Sequence, residues 1–295
     1  MRFKINAFKQ ILLPALMMFI FQHELYSQET DSSAVKRPGF YVGLSMGTGQ
    51  SKIIHEGMLS VSGLISGEKN DIKGSFDFGY FFTNIFGVAS GFSYTAYKGQ
   101  LTLDSYQNKF STTDSENESY ERRVSGKNIT EDQNIGFLGI PVCLNLRLPA
   151  GKKFGFFLQA GINFAFPVNK KYVSNGTFTY KGYYPAYNVL LEDLPAYGFP
   201  GNAAVMSEGT LNLNPVSFDA IASAGFDILI RKKFQLLMAA TYNQSLSNIA
   251  DYSAPEKFQL STDVDHVYSM MGGSNKVTVQ SMGLKISLRY FLTAH

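Results

Sequence analysis

Eight stretches of this chain alternate between large apolar residues and small or polar residues, and this period of two constrains the fold most strongly. In the sixth stretch, for example, Phe, Ala and Ile occupy one set of positions while Asp219, Ser223 and Asp227 occupy the other. Successive side chains of a β-strand point to opposite faces of a sheet, so each stretch predicts a strand with one apolar face. The eight stretches are 39–47, 75–82, 86–96, 138–148, 154–166, 218–230, 234–243 and 281–290.

The length of these stretches favours strands that cross a membrane. A tilted membrane strand needs roughly 9–11 residues, whereas strands of globular proteins usually stop near 5–6. Beyond the N-terminal region, the chain has no apolar run of the roughly 20 residues that a spanning helix needs. A closed barrel is the other structure that satisfies its backbone polar groups in lipid.

The connections between the predicted strands alternate strictly between short and long. The short ones are 83–85, 149–153 and 231–233, and the long ones are 48–74, 97–134, 167–215 and 246–275. Outer-membrane barrels have short periplasmic turns and long external loops. We therefore predict an all-β fold over 39–292: an eight-stranded antiparallel transmembrane up-and-down β-barrel with long extracellular loops. Because the number of strands is even, we expect both ends of the chain to lie on the periplasmic side.

The N-terminal region has the features of an export signal. Arg2, Lys4 and Lys9 precede an apolar stretch, and Ser27–Gln28 follows as a candidate cleavage site. The sequence thus predicts a signal peptide over 1–27, a short periplasmic segment over 28–38, and a barrel inserted in the bacterial outer membrane, with the lipid as its first partner.

The Gly-, Ser- and Ala-rich face of each strand suits the interior, because eight strands enclose only enough room for packed side chains. Charged residues on that face then lie in the lumen, where buried charges need partners. We expect a paired network that holds the barrel together, with a gated ion path as the alternative. The candidate residues are Asp77, Arg147, Asp219, Asp227, Lys285 and Arg289.

The long loops are the other candidate functional region. Loop 97–134 is polar and of mixed charge, and we expect it to be mobile and external. Loop 167–215 is rich in tyrosine, which suits amphipathic contacts. It is predicted either to fold as a cap on the barrel mouth or to contact an envelope protein or a surface glycan. The candidate contact residues are Tyr180, Tyr183, Tyr184, Tyr187 and Tyr197.

Catalysis, cofactors and nucleic acids have little support in the sequence. The single cysteine, Cys143, excludes a disulfide framework and is interpreted as a small strand residue. The net charge of +3 comes without a dense basic stripe, so we expect no nucleic-acid binding.

The histidines give no enzyme motif either. Asp263, Asp265 and His266 lie together, but their spacing is unspecific and favours a solvated loop over a cation site. Ser269 and Ser274 lie in the same loop without a motif that links them to His266. We predict that the protein is not an enzyme and has no cofactor.

The fourth stretch carries a family resemblance. Gly139–Leu146 reads GIPVCLNL and resembles the Ile-Pro-hydrophobic-x-Leu signature of the Bacteroidota outer-membrane β-barrel family, the PorT-like group. Phe40–Leu44, Gly155–Gly161 and Ser281–Phe291 resemble that family's first, fifth and closing strands. The resemblance implies the barrel fold over 39–292. One branch of the family takes part in a gliding-associated protein secretion system, and these residues do not assign the chain to that branch.

We therefore predict a non-enzymatic outer-membrane barrel that is structural or binds partners through its long loops. The alternatives are an accessory component of a secretion or envelope machine, a small pore, and a soluble periplasmic barrel.

Overall fold

A computed structural model describes residues 39–57, 63–151, 153–231, 233–251 and 259–292. The predicted signal peptide 1–27 and the predicted segment 28–38 lie outside the described residues. No helix in the described part of the chain is long and apolar enough to cross a membrane.

The described residues form ten strands in one antiparallel sheet, and eight of these strands close into a barrel. The strands are β1 Gly39–Glu56, β2 Ile65–Phe81, β3 Phe86–Thr113, β4 Ser119–Pro149, β5 Phe154–Tyr184, β6 Val189–Leu191, β7 Ala203–Thr210, β8 Ser217–Arg231, β9 Phe234–Ser245 and β10 Lys276–Phe291. Around the ring the order is β1, β2, β3, β4, β5, β8, β9 and β10, and β10 pairs with β1 from Tyr41↔Phe291 to Glu56↔Lys276. The predicted fold class is therefore confirmed.

The outer face of the barrel exposes an apolar band while the inner face buries polar groups. Leu144 is 70% exposed and Leu284 is 69% exposed, whereas Asp227 in the lumen is fully buried. This inverted arrangement is stable only when lipid surrounds the wall. The band includes Phe40, Met46, Phe78, Phe92, Leu138, Phe156, Phe166, Phe226, Met238 and Met282.

The three predicted short turns are present, but three of the four predicted long loops are largely strand. β1 runs on to Glu56 and β2 begins at Ile65, so most of 48–74 belongs to the wall. β3 and β4 pair from Phe86↔Leu146 out to Thr113↔Ser119, so 97–134 is a long hairpin and not the mobile loop that we expected. β5 likewise runs on to Tyr184 and pairs with β6 and β7. Beyond the lipid, polar residues replace the apolar ones on the outer face, so the alternation that predicts a membrane strand disappears while the strand continues. We call 97–134 and 167–210 together the arm.

The lumen consists of three layers. At the short-turn end, the rings of Tyr41, Phe81 and Phe291 pack with centroids 5.7–6.3 Å apart. Next comes a polar chamber of about 100 Å³, lined by residues that include Asp77, Gln159 and Lys285. At the arm end lies an apolar cluster, which closes the mouth. Its members are Ile53, Tyr97, Ile135, Phe137, Ala165, Tyr172, Leu211, Leu213, Ile249, Ala250, Met271, Val277 and Val279.

We call the segment 259–275 the cap. A second apolar core lies further out than the first, between the arm and this cap. The cap segment includes a short 3-10 turn at Met270–Gly273 and buries Leu260, Val267 and Met270 against the arm. This core stabilises the arm as a folded extension of the wall. The arm contributes Leu101, Leu103, Tyr106, Val124, Ile129, Phe178, Tyr180 and Val205.

The narrow wall depends on glycines where neighbouring strands approach most closely. A Cβ atom on Gly225 would lie 1.9 Å from the carbonyl oxygen of Met238, and one on Gly161 would lie 2.0 Å from that of Val142. Backbone atoms cannot yield as a flexible side chain can, so any side chain here must separate two strands of the wall.

We predict that Gly225→Ala destabilises the barrel by about 1–3 kcal/mol, the cost typical of overpacking. Urea unfolding in detergent, followed by heat-modifiable gel mobility, measures the loss. Gly67→Ala is the matched control, since its nearest neighbour would lie 3.6 Å away. Equal stability of the two variants would contradict the close-approach argument.

Candidate functional site

The strongest electrostatic contact in the lumen joins β4 and β8. Arg147 Nε lies 2.9 Å from Asp227 Oδ1 and its Nη2 lies 3.0 Å from Asp227 Oδ2, with both side chains buried. Gln235 on β9 donates a further hydrogen bond of 2.6 Å to Asp227. A forked contact of this kind fixes both orientation and distance, so it connects three strands across the short-turn end of the barrel.

Arg289 belongs to the aromatic layer. Its guanidinium lies 4.6 Å from the centre of the Tyr41 ring and 5.9 Å from that of Phe157. Asn145 donates a 2.9 Å hydrogen bond to the Tyr41 hydroxyl. Arg289 therefore pairs with aromatic faces and stabilises the layer that closes the short-turn end.

The other three predicted lumen charges have neutral partners. Asp77 accepts a 2.8 Å hydrogen bond from Ser45, and Lys285 donates one of 3.0 Å to Gln159. Asp219 accepts hydrogen bonds from Ser245 and Asn163, at 2.9 and 3.3 Å. Of the six predicted residues, only Arg147 and Asp227 form an ion pair within the described part of the chain.

Two further lumen charges escaped the sequence analysis. Lys73 lies 3.5 Å from Asp71 and donates a 2.6 Å hydrogen bond to Ser281, which also bonds to Asp71. Both charges lie on β2, in the range 48–74 that we had assigned to a loop. The alternation of Ile72 with its polar neighbours was the signal that could have extended the strand to them.

The structure divides the five predicted contact tyrosines between the interior and the surface of the arm. Tyr180 is fully buried, with its hydroxyl 2.8 Å from that of Ser261, so it is not available at the surface. Tyr183 is half-buried against Arg123, and Tyr184 stacks on Tyr120 with centroids 5.1 Å apart.

Tyr187 and Tyr197 are exposed at the far end of the arm, by 61% and 73%. Three aliphatic residues that the sequence analysis missed are exposed beside them in the chain, at 37–43%: Val189, Leu190 and Leu194. We call these five residues the tip patch.

The turn beneath the tip patch is fixed by hydrogen bonds. Asp114 Oδ1 accepts from the backbone N–H groups of Glu116 and Glu118, at 2.9 Å each, and its Oδ2 accepts from the Tyr184 hydroxyl at 3.0 Å. The bond from Glu118 holds the pKa of Asp114 below its ordinary value. Tyr187 donates to Glu118 at 2.7 Å. Two hairpins are thus joined at their ends.

A buried carboxylate connects the arm to the cap. Glu131 accepts hydrogen bonds from the Ser269 hydroxyl, the Met270 backbone N–H and the Ser174 hydroxyl, at 2.7, 2.6 and 3.0 Å. Gln133 donates another, at 2.6 Å. Burial raises the pKa of Glu131, and these four donors act in the opposite direction.

The serine–histidine contacts do not form a catalytic site. Ser274 lies 2.9 Å from His55 Nδ1, but Ser274 is buried and His55 Nε2 faces the amide of Gln133 at 3.3 Å. His266 contacts Ser207, at 3.0 Å, and not Ser269 or Ser274. A nucleophile needs substrate access, and the burial of Ser274 denies it.

Within the described ranges, no group of three or more His, Cys, Asp and Glu side chains is placed to hold a metal ion. Asp263 and Asp265 are exposed, whereas His266 contacts Ser207.

We predict that Arg147→Ala costs about 3–5 kcal/mol, because it leaves Asp227 buried without its countercharge. The double variant Arg147→Ala/Asp227→Ala should lose less than the sum of the two single losses. Urea unfolding of all four proteins gives this coupling energy. Additive losses would mean that the two side chains do not stabilise each other.

We expect the cap to become less stable in acid because His55, which lies beyond the apolar band and contacts Ser274 of the cap, becomes protonated. Burial lowers the pKa of His55 from 6.5 to about 4, so its contribution to stability is present above pH 6.5 and is lost as the pH falls towards 4. Protonation of Glu131, whose pKa is raised, acts in the opposite sense.

We predict faster hydrogen exchange in 259–275 at pH 4.5 than at pH 7, after correction for intrinsic rates. His55→Gln should remove or reverse this acceleration, because only the Glu131 effect is left. An unchanged pH dependence in His55→Gln would exclude His55 as its source.

The sequence matches a known protein family over most of its length. The family model described as outer membrane protein beta-barrel domain matches residues 27–251. A comparison with curated proteins gives no match. Among solved structures, the chain is similar to neisserial surface protein A, with 13% identity and a TM-score of 0.37 over 86% of this chain and 97% of that chain.

It is also similar to OprG from Pseudomonas aeruginosa, with 14% identity and a TM-score of 0.39 over 88% and 97% of the two chains. A third similar structure is Ail, the attachment invasion locus protein of Yersinia pestis, with 12% identity and a TM-score of 0.31 over 85% of this chain and 99% of that chain. These TM-scores are low, so the family assignment rests on the family model, which matches the sequence of most of the barrel. The chain belongs to the outer membrane protein β-barrel domain family.

Proposed function

We propose that this barrel is a non-enzymatic surface protein that binds a partner protein of the cell envelope through the tip patch. The exposure of Tyr187 and Tyr197 at the end of a well-packed arm carries the proposal. Large apolar side chains that stay exposed on an otherwise folded surface mark interaction sites.

The arm is proposed to lie outside the cell. Outer-membrane barrels place their short turns in the periplasm, which puts the arm and cap on the external side. This orientation also agrees with export by the predicted signal peptide and its cleavage near Ser27–Gln28.

The composition of the tip patch favours a protein over a glycan. Three of its five residues are aliphatic, and the polar groups of its side chains are two tyrosine hydroxyls, one of which already bonds to Glu118. Tyr187 is already held by its bond to Glu118, and the Tyr184–Asp114 bond fixes the turn. A contact surface that is rigid before binding loses little conformational entropy when the partner binds.

This proposal includes the role of an accessory component in a secretion or envelope machine. The GIPVCLNL stretch at 139–146 supports membership of the Bacteroidota PorT-like group, one branch of which has such a role. Mild-detergent purification followed by identification of co-purifying envelope proteins tests this narrower assignment.

The layered lumen argues against the small-pore alternative. The aromatic layer around Tyr41 and the apolar cluster around Ile135 lie on either side of the polar chamber. Ions would have to cross both layers. The layer at the arm end is apolar, and the layer at the short-turn end is filled by aromatic rings packed around the Arg289 cation. We therefore expect no steady conductance in planar bilayers.

We predict that a photo-crosslinking amino acid at Tyr197 captures a protein on living cells. Met206 is the matched control position, because it is 71% exposed on the arm but lies outside the tip patch. The variant Tyr187→Ser/Tyr197→Ser should lose partner capture in a pull-down while it keeps heat-modifiable mobility.

Equal crosslinking from both positions, or none from Tyr197, would contradict a specific protein contact. Loss of capture by the unaltered protein after treatment of the partner with glycosidases would point instead to a glycan.

A further inference from the structure

Three polar residues form a row across three strands on the outer face of the sheet. Lys98 on β3 is in register with Asn134 on β4, and Asn134 is in register with Lys171 on β5. Neighbouring strands lie about 4.8 Å apart, so the two lysines are about 10 Å apart at the backbone. We call these residues the cationic row.

The inner and outer faces of the sheet are unambiguous at this level. Tyr97, Ile135 and Tyr172 are the chain neighbours of Lys98, Asn134 and Lys171, and all three are buried in the apolar cluster at the barrel mouth. Side chains alternate along a strand, so Lys98, Asn134 and Lys171 point outward. Both lysines are exposed.

The row lies just beyond the apolar band. Four residues nearer the short-turn end, Tyr94 and Leu138 are in register on the outer face, with Phe166 beside Leu138. Between the two levels, a Cβ on Gly136 would lie 2.8 Å from the Tyr94 hydroxyl oxygen. The Tyr94 ring thus extends across Gly136 towards the row. Tyrosine prefers this interfacial position, with its ring in lipid and its hydroxyl among headgroups.

The positive charge of the row is not neutralised by an ion pair within the described residues. Acidic side chains lie nearby without pairing to the row. Glu68 is in register with Gly99, and Glu208 is in register with Val173. Asp132 pairs instead with Lys69 at 2.5 Å and with Gln100 at 3.0 Å. The amide oxygen of Asn134 is buried and has no hydrogen-bond partner in the described structure.

We propose that the cationic row binds the phosphorylated sugar headgroup of a glycolipid in the outer leaflet. The two ammonium groups, one on each side of Asn134, are exposed and match the charge of phosphate groups. The acyl chains of the same lipid would pack on Tyr94, Leu138 and Phe166. This inference rests on the external orientation of the arm that we proposed above.

The test compares two double variants in one assay. Lys98→Gln/Lys171→Gln removes the row, and Lys109→Gln/Lys127→Gln removes two exposed lysines from the same hairpin, further from the lipid. Each purified barrel is titrated in a neutral detergent with bisphosphorylated lipid A, with its dephosphorylated form, and with inorganic phosphate. Native mass spectrometry counts the bound lipid. Heat-modifiable mobility verifies that each variant is folded.

We expect lipid A to bind the row variant about thirtyfold more weakly than the parent, since one lysine near a lipid surface contributes about 1 kcal/mol. The control variant should bind as the parent does. Dephosphorylated lipid should bind the parent and the row variant equally, and inorganic phosphate should not bind at these concentrations.

Unchanged lipid A binding by the row variant would overturn the proposal, and so would an equal loss in the control variant, which would indicate diffuse attraction. Protease treatment of intact cells tests the orientation separately. An arm that is cleaved on intact cells, together with unchanged lipid binding, removes only the glycolipid proposal. An arm protected until the cells are permeabilised removes both.

Discussion

Everything in this structure depends on the hydrogen-bonded closure between the first and last strands of the ring. Lipid offers no partner to a backbone N–H or C=O group, so an open edge in the apolar band would cost several kcal/mol for each unpaired group. β1 and β10 close that edge from Tyr41↔Phe291 outward. Closure at eight strands then makes the barrel narrow. Neighbouring strands approach so closely at Gly225 and Gly161 that a side chain would not fit there. Each charge buried in the narrow lumen also requires a partner.

The lipid-facing part of the fold could be predicted because lipid imposes a simple rule on sequence. Every second residue must be apolar, and Phe76, Leu144 and Leu284 show that rule directly. The arm could not be predicted in the same way, since its outer face is in water and polar residues there are compatible with either a strand or a loop. Its strands are determined by pairing with neighbours and by the core beneath the cap, which are tertiary effects.

The candidate sites show a similar division. Position on a strand was enough to place Asp227 and Arg147 in the lumen, but not to pair them, because register depends on both strands. Composition alone could not separate Tyr180 from Tyr197. One is covered by the cap and the other is not, and the covering residues are far away in sequence. The cationic row also became visible only when the register brought Lys98, Asn134 and Lys171 side by side.

The continuity of β4 and β5 through the wall and the arm has a mechanical consequence. These strands stay paired from Pro149↔Gly155 at the short turn to Glu121↔Tyr183 near the tip. Antiparallel hydrogen bonds lie across the strand direction, so a pull along the arm loads many of them together in shear. Force on a bound partner would therefore reach the membrane as a tilt of the whole cylinder rather than as unravelling of its outer end.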